Sequence, residues 1–315
     1  MTQFISKRIG VGIGLTFLVL TLIFLAIHMV PGDPAAILLS SSGSSAPSPQ
    51  AIHKMRVLLG LNEPLGVQFW DFLRHTVTGN LGTSYVDGQS VSQAVAERLP
   101  RSLELIVFAT VIAVFVGVTL GTLAARAGGV IDSVITMLSS IGIALPVFVA
   151  GVLLILFFGI QLNWLPAGGY VGWSDPIAHL KLLILPSVTL ALPFIANVAR
   201  MTRSSVLEVQ QRDWVRTAAA FGLHPFQVFR KHILRNALNP VVTVVGLQFG
   251  KLLGSTVLVE QVFNYPGLSS LLVDGVTHRD YPVVQGIVIV IAVIFITINV
   301  IVDLLYGLLD PRVAR

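Results

Sequence analysis

Residues 216–240 read RTAAAFGLHPFQVFRKHILRNALNP, and they interrupt a chain that is otherwise strongly apolar. The stretch contains four basic residues and no acidic residue. Together with three arginines just before it, it places seven cations between residues 200 and 235. Each cation would cost roughly 3 kcal/mol at the centre of a bilayer, about 20 kcal/mol in all. This segment must therefore lie in water, and it separates two apolar parts of the chain.

Apolar residues around this stretch recur at helical spacing. Trp214, Ala218 and Phe221 stand at i, i+4 and i+7, and Phe226, Phe229 and Ile233 stand at i, i+3 and i+7. Gly222 suits the left-handed turn that ends a helix, and Pro225 suits the first turn of the next helix. We therefore predict two short helices with a bend between them, apolar on one side and cationic on the other.

A basic amphipathic hairpin has three physical interpretations. It can lie on anionic lipid, pack against the helix ends of its own chain, or insert its aromatic side chains into a groove on a cytosolic partner. The fixed Gly and Pro positions favour a partner, because a helix on a lipid surface needs no defined bend.

Composition indicates the class of the whole chain. Its 315 residues are 54% hydrophobic and only 11% charged, with a mean hydropathy of +0.85, which is far from a soluble globular protein. The sequence contains no cysteine, so it has no disulfide and no thiolate metal site, and we expect no metal site of another kind. We predict an all-α polytopic membrane protein.

Six stretches are long and apolar enough to span a bilayer as helices. They are Ile9–Val30, Leu103–Ala125, Val134–Ile160, Leu182–Ala199, Pro240–Val259 and Val283–Leu308. The first is too long for the core of a signal peptide, so we expect a retained anchor. Prolines 146, 186 and 193 fall inside the third and fourth spans and favour kinks there.

The distribution of basic residues predicts the orientation. With both termini in the cytoplasm, the cytoplasmic segments hold twelve basic residues, against Lys181 and Arg279 in the two short outer loops. The basic residues of the long loop carry little weight, because loops beyond about 60 residues cross the membrane largely regardless of charge. This excess also explains the basic pI near 9.8 without any nucleic acid partner.

The connections divide the chain into three predicted parts. Residues 1–30 form the cytoplasmic N-terminus and the first span, 31–100 an external loop region, and 101–315 a five-helix core with a cytoplasmic loop at 200–239. The external region contains the turn-rich low-complexity segment 40–49 and two pieces with amphipathic helical patterns, AIHKMRVLLGL and PLGVQFWDFLRHTV.

Several ordered blocks resemble one family. DWVRTAAAFGL at 213–223 followed by HILRNALNPV at 232–241 is similar to the coupling segment of bacterial ABC-importer permeases, whose signature is EAA-x3-G-x9-I-x-L-P; Ala218, Gly222 and Leu234 match it. The departures are typical of the dipeptide, oligopeptide and nickel permease branch. Seven further blocks of the sequence also resemble that branch: PGDP, LGLNEPL, GNLGTSY, LPSVTLALPFIANVARMTRSS, VVTVVGLQFGKLLGSTVLVEQVFNYPGL, RDYPVVQG and DLLYGLLDPRVAR.

The resemblance implies a type I ABC-importer permease fold in the bacterial inner membrane. It implies a second, related permease subunit as heterodimer partner, two cytosolic ATPases that bind ATP and Mg²⁺, and an extracytoplasmic substrate-binding protein. The implied coupling residues are Asp213, Trp214, Arg216, Thr217, Ala218, Ala219, Phe221, Gly222 and Leu223. This chain would itself bind no cofactor.

A second group of residues is expected to line the translocation path or a gate. Gly246, Gly250 and Gly254 stand four residues apart and mark a smooth helix face, which favours close helix packing and, by the resemblance, a place along the pore. Lys251 is a cation within the same span and is a functional candidate that can also snorkel. Glu260, Asn264 and Tyr265 follow near the outer surface, as a gate or as interfacial anchors.

The sequence does not favour chemistry in this chain. It contains no H-E-x-x-H, no G-x-S-x-G and no complete nucleotide-binding motif, so we expect a transport subunit and no enzyme. A self-sufficient secondary transporter would need coupling-ion residues near the midplane and usually an inverted repeat, and neither is evident. Dipeptides, oligopeptides, glutathione and nickel chelates remain alternative substrates.

Overall fold

A computed structural model of the chain describes residues 2–29, 33, 35–36, 39, 48–58 and 60–309. These residues are almost entirely helical, with one isolated antiparallel bridge between Thr83 and Ser90. Most of the PGDP block, the low-complexity residues 40–47 and the C-terminal residues 310–315 lie outside the described residues.

Eleven helices follow one another in the described part of the chain. They are α1 Thr2–Met29, α2 Pro49–Leu58, α3 Leu65–Val77, α4 Val91–Ala127, α5 Gly129–Ala144, α6 Val147–Gln161, α7 Pro176–Gln210, α8 Asp213–Ala220, α9 Pro225–Val262, α10 Leu268–Thr277 and α11 Tyr281–Leu309. Helices α2 and α3 confirm the two amphipathic pieces predicted in the external region. Five helices are long and apolar enough to cross a membrane, or six if α5 and α6 count as one bent span.

The third predicted span is wrong as a single helix, because α5 and α6 meet at an angle of 105°. The break lies at Leu145 and Pro146. Leu145 has an extended backbone with φ −74° and ψ 121°, as expected of a residue that precedes proline. Pro186 and Pro193, in contrast, lie inside α7 without breaking it.

The predicted limits of the next two spans are also wrong. Helix α7 continues eleven residues beyond Ala199 to Gln210, and α9 is a continuous helical run that begins at Pro225. The inner connection therefore shrinks from 200–239 to 211–224, and the second predicted short helix is the beginning of α9. Hydropathy marks where apolar side chains end, whereas backbone hydrogen bonding continues through polar residues.

Contacts within the chain divide it into two units. Unit 1 comprises residues 1–101 and 267–315, and unit 2 comprises Ser102–Pro266. This division differs in kind from the three parts 1–30, 31–100 and 101–315, which are defined by position relative to a membrane and remain a prediction.

In unit 1, α1 packs along α11. A Cβ atom added to Gly12 would lie 3.0 Å from Val300 Cγ2, so the absence of a side chain lets the two helices approach closely. Arg8 Nη1 and Asp303 Oδ2 form an ion pair of 2.8 Å between the same helices. A buried apolar cluster joins the start of α4 to α10 and α11 through Val91, Val95, Leu268, Val283 and Ile287.

The connection between α3 and α4 is fixed to the turn before α11. Ser84 Oγ donates a hydrogen bond of 2.5 Å to Asp280 Oδ2, and the Tyr85 amide donates to Asp280 Oδ1 at 3.1 Å. Ser84 and Asp280 are buried. Burial, followed by the negative charge of Asp280, raises the pKa of the Tyr85 phenol.

Helix α7 is the centre of unit 2, where it packs against α5, α6 and α9. Helix α4 also approaches it closely, because a Cβ atom added to Gly121 would lie 2.4 Å from the Ala199 carbonyl oxygen. A Cβ atom added to Gly117 would lie 2.7 Å from Val198 Cβ. These two glycines stand four residues apart, the spacing that permits close contact between membrane helices.

Candidate coupling and translocation sites

The segment with the predicted coupling residues forms the short helix α8 and the turn after it. Arg212 has an extended backbone before the helix, and Asp213 lies in its first turn, where the partial positive charge of the helix N-terminus favours a carboxylate. Gly222 has φ +76°, which confirms the left-handed turn predicted after the helix. The following His224 Nδ1 accepts a hydrogen bond from the Phe226 amide and caps the start of α9.

One side of α8 packs against the rest of unit 2. Val215 is 6% exposed and belongs to a cluster with Val206 of α7 and with Val228, Ile233 and Ala237 of α9. This contact fixes α8 on the junction between α7 and α9. A displacement of α8 therefore acts directly on both long helices.

Large apolar side chains near the two ends of α8 are exposed. Trp214 is 44% exposed and Phe221 is 83% exposed, and Leu223 in the turn is also exposed. The predicted apolar stripe of Trp214, Ala218 and Phe221 is therefore not the packed side, and only its Ala218 is half-buried. Val215, which packs α8 against the rest of the unit, was not predicted because its neighbours belong to α7 and α9.

The other predicted coupling residues share this exposed region. Asp213, Arg216, Thr217 and Ala219 are exposed on α8. Thr217 Oγ1 donates to the Asp213 carbonyl oxygen at 3.0 Å, so its hydroxyl group is used within the helix. The structure thus places all nine predicted coupling residues on one helix and the turn that follows it.

The first turns of α9 make aromatic contacts with α8 and with the end of α4. The Trp214 and His232 rings lie 6.4 Å apart, and the Arg126 guanidinium group lies 4.6 Å from the centroid of the Phe229 ring. Residues Val228–Leu234 are π-helical, a form that occurs frequently at functional sites. From there α9 continues without interruption to Val262.

At the other end of α9, two of the three predicted gate residues are buried. Glu260 is 0% exposed and its Oε1 accepts a hydrogen bond of 2.6 Å from Ser102 Oγ. Tyr265 is buried, and its amide donates to the Glu260 carbonyl oxygen. Asn264, in contrast, is exposed and has φ +48°, so it forms the turn that ends α9.

A polar and aromatic cluster surrounds Tyr265 and was not predicted. The Tyr170 ring lies 5.5 Å from the Tyr265 ring, edge to face, and 5.7 Å from His179. His179 is 2% exposed, its Nδ1 lies 2.6 Å from the Val171 carbonyl oxygen and its Nε2 lies 2.9 Å from Glu104 Oε1. Both ring nitrogens of His179 therefore lie within hydrogen-bond distance of oxygen atoms.

The predicted glycine stripe of α9 is only partly packed. Gly250 is buried and Gly246 is half-buried, but Gly254 is exposed and has nothing within 4 Å of an added Cβ atom. Within the described part of the chain, no other helix packs against Gly254. Much closer contacts occur at Gly117 and Gly121 in α4, whose spacing of four residues is the same signal on another helix.

Lys251, the predicted cation of the same helix, is exposed and lines a cavity of about 610 Å³ between α5, α7 and α9. Arg200 and Arg203 of α7 line the same cavity. Nothing in the sequence alone brings these side chains together, because Arg200 and Lys251 belong to different spans.

Comparison with known families supplies the assignment. The binding-protein-dependent transport system inner membrane component family matches residues 117–315, and the corresponding N-terminal family matches residues 1–106. The chain belongs to this family. It is therefore a multi-pass inner-membrane permease component, and the resemblance described from the sequence is confirmed.

Relatives of similar length support the same assignment. A probable peptide ABC transporter permease of Sinorhizobium fredii is 42% identical over 315 residues, and a putative peptide transport system permease of Brucella abortus is 41% identical; each alignment covers 99% of both chains. A glutathione transport system permease of Salmonella choleraesuis is 41% identical over 314 residues, again with 99% of both chains covered.

Solved structures show a related fold. The methionine ABC transporter in an inward-facing conformation has a TM-score of 0.56 at 17% identity, and the match covers 69% of this chain and 97% of that chain. An amino acid ABC transporter has a TM-score of 0.52 at 18% identity, with 68% and 94% covered. The predicted class, an all-α ABC-importer permease fold, is thereby confirmed.

Proposed function

We propose that this chain is the permease subunit of an ATP-driven importer of peptides and that α8 couples it to a cytosolic ATPase. The observation that carries the coupling role is the two-sided character of α8. Val215 packs against both long helices, while Trp214 and Phe221 project large apolar surfaces outward. An exposed aromatic pair on a rigid helix suits insertion into a groove of a partner protein.

The substrate class follows from relatives along the whole chain. Two relatives with 41–42% identity are named for peptide transport, and a third is named for glutathione, which is itself a peptide. Peptide import is therefore the proposed function. Glutathione import is the alternative within the same family, and a ligand panel measured on the partner binding protein distinguishes the two.

The proposed assembly contains several other components. Two ATPases bind ATP and Mg²⁺ and perform the hydrolysis, a second related permease completes the pathway as a heterodimer, and an external binding protein delivers the peptide. Both termini of this chain lie in the cytoplasm, as the excess of basic residues in the corresponding segments indicates.

Coupling proceeds through packed helices and involves no chemistry in this chain. When the ATPases close, the exposed side of α8 moves with them, and Val215 transmits the displacement to α7 and α9. Helix α9 carries it to the buried Glu260 and Tyr265 at its far end, beside the candidate pathway residues Gly246, Gly250, Lys251, Gly254 and Asn264. This is a two-state rocking of rigid elements between inward-open and outward-open forms.

The test is made in the complete complex, reconstituted in liposomes with its ATPases and binding protein. Trp214→Ala and Phe221→Ala remove the exposed aromatic groups and leave Val215 in place. We expect each variant to lower ATP-driven peptide uptake at least about tenfold, because hot-spot aromatics typically contribute 2 kcal/mol or more to an interface. Co-purification of the ATPases should fall in parallel.

Val77→Ala is the matched control, because Val77 is 83% exposed, as Phe221 is, but lies on α3 in unit 1. It should leave ATPase co-purification unchanged. Normal uptake by both α8 variants would refute the coupling role. Gradient-driven uptake by the single chain without ATPases would instead identify a secondary transporter.

A further inference from the structure

The cavity between α5, α7 and α9 has an unusual charge balance. Its lining includes Arg200, Arg203 and Lys251, and among the described residues no Asp or Glu side chain lines it. Arg203 is neutralised by Asp132, which accepts hydrogen bonds from both its Nε and its Nη2, the latter at 2.5 Å. Arg200 and Lys251 form no ion pair with any described residue of the chain, so two positive charges in this cavity are uncompensated.

The remaining polar groups of the lining suit an oxyanion. Asn197 and Gln248 contribute side-chain amides, which can donate hydrogen bonds. Asn197 Nδ2 donates to the Pro193 carbonyl oxygen at 2.9 Å, which fixes that side chain on α7. The arginine is a planar donor and the lysine a flexible one, a combination that can hold the two oxygens of one carboxylate.

The size and position of the cavity are also suitable for a small ligand. Its volume of about 610 Å³ lies within the range of sites that enclose small molecules. It opens to the surface, because Arg200, Ser204 and Lys251 are exposed. Two like charges in one cavity repel each other when it is empty, and a bound anion removes this repulsion.

We propose that this cavity is a carboxylate subsite on the translocation path, where Arg200 and Lys251 hold the C-terminal carboxylate of the transported peptide. The inference rests on the proposed function, since every unmodified peptide carries this group ionised at neutral pH. The Arg203–Asp132 pair positions α5 against α7 and takes no part in binding. A phosphate group of an anionic lipid shares the chemistry and is an alternative occupant that the test distinguishes.

The test uses the complete complex in liposomes with saturating binding protein and ATP. Uptake is measured for one tripeptide with a free C-terminal carboxylate and for the same tripeptide as its C-terminal amide. The quantity compared is the uptake rate of the free-carboxylate peptide divided by the uptake rate of the amide. We expect Arg200→Gln and Lys251→Gln each to lower this ratio about tenfold, equivalent to about 1.4 kcal/mol, and Lys251→Arg to restore most of it.

Three controls make the outcome decisive. The binding protein is identical in every sample, so its own preference cancels when a variant is compared with wild type. Lys181→Gln removes an exposed cation outside the cavity and should leave the ratio unchanged. Thermal unfolding of each purified complex verifies that the variants are folded.

Different failures have different meanings. If the variants slow both peptides equally, the subsite assignment is overturned while peptide import stands. If that equal loss appears only in liposomes containing anionic lipid, the occupant is a lipid phosphate. If the wild-type complex takes up neither peptide, the proposed function itself fails, and the carboxylate subsite fails with it.

Discussion

Ser102 Oγ donates a hydrogen bond of 2.6 Å to Glu260 Oε1, although the two residues stand 158 positions apart. Both residues are buried, with exposures of 1% for Ser102 and 0% for Glu260. The bond joins α4 to the end of α9 within unit 2. It holds the end of α9 that lies farthest from α8.

Replacing Ser102 should therefore weaken unit 2. Ser102→Ala removes a hydrogen-bond donor from a buried carboxyl group, and a typical intramolecular hydrogen bond contributes about 0.5–1.5 kcal/mol. We expect a lower Tm of the purified complex. Gln261→Ala changes the exposed neighbour of Glu260 and should leave the Tm within error. Equal Tm values for Ser102→Ala and wild type would show that this bond does not stabilise the unit.

Close contact between α4 and α7 should make Gly121 intolerant of any side chain. A Cβ atom there would lie 2.4 Å from the Ala199 carbonyl oxygen, and a backbone atom cannot move aside as a flexible side chain can. Gly121→Ala should cost about 1–3 kcal/mol through overpacking.

Gly254→Ala is the matched control for this substitution, since an added Cβ atom meets nothing within 4 Å and alanine favours helix by about 1 kcal/mol. Thermal unfolding of the two variants compares them directly. A stable Gly121→Ala complex would show that α4 and α7 are farther apart than described.

Backbone conformation makes a separate prediction for Gly222. Its φ of +76° is unfavourable for alanine by about 1–2 kcal/mol, although the space around it is open. Asparagine tolerates this region better. We expect Gly222→Ala to reduce ATP-driven uptake more than Gly222→Asn does, with Gly10→Ala as an open helical control. The reverse order of the two Gly222 variants would contradict a conformational cause.

The raised pKa of Tyr85 predicts that the stability of the folded protein depends on pH in the alkaline range. Its phenol has a pKa above the usual value near 10, chiefly because of burial and secondly because of Asp280. A raised pKa favours the protonated form in the folded state. The stability that Tyr85 contributes is therefore complete below the usual pKa and is lost as pH rises through the raised one.

The measurement is a spectrophotometric titration of tyrosine ionisation, taken as the difference between wild type and Tyr85→Phe. The difference should titrate above the usual pKa of tyrosine. Asp280→Asn should lower that pKa in part, since burial remains. An ionisation at the ordinary value would show that Tyr85 is not buried against Asp280.

Hydropathy predicted the positions of five long apolar helices, because about 20 consecutive apolar residues are needed to cross a bilayer core, and the sixth predicted span is the bent pair α5 and α6. It did not predict where α7 and α9 end, since a helix continues into water wherever its backbone hydrogen bonds remain satisfied. Pro146 was predicted to kink its span, but the size of the bend depends on packing that the sequence does not contain. Pro186 and Pro193 illustrate this, because α7 accommodates both.

The candidate sites were predictable to different degrees. The coupling residues lie within eleven consecutive positions, so local pattern was sufficient to group them. The identity of the packed side, Val215, depends on neighbours from α7 and α9. Contacts such as His179 with Glu104, 75 positions apart, or Arg203 with Asp132, 71 positions apart, have no local signature at all.

The uninterrupted 38 residues of α9 have a mechanical consequence. At about 1.5 Å per residue they form a rod of about 55 Å, so a tilt of about 5° about one end sweeps the other through about 5 Å. A displacement near Val228 that is small enough to preserve the valine contacts there therefore becomes a displacement about as large as the width of a peptide backbone at the other end of α9. The length of α9 is the reason why the displacement at one end exceeds the displacement at the other.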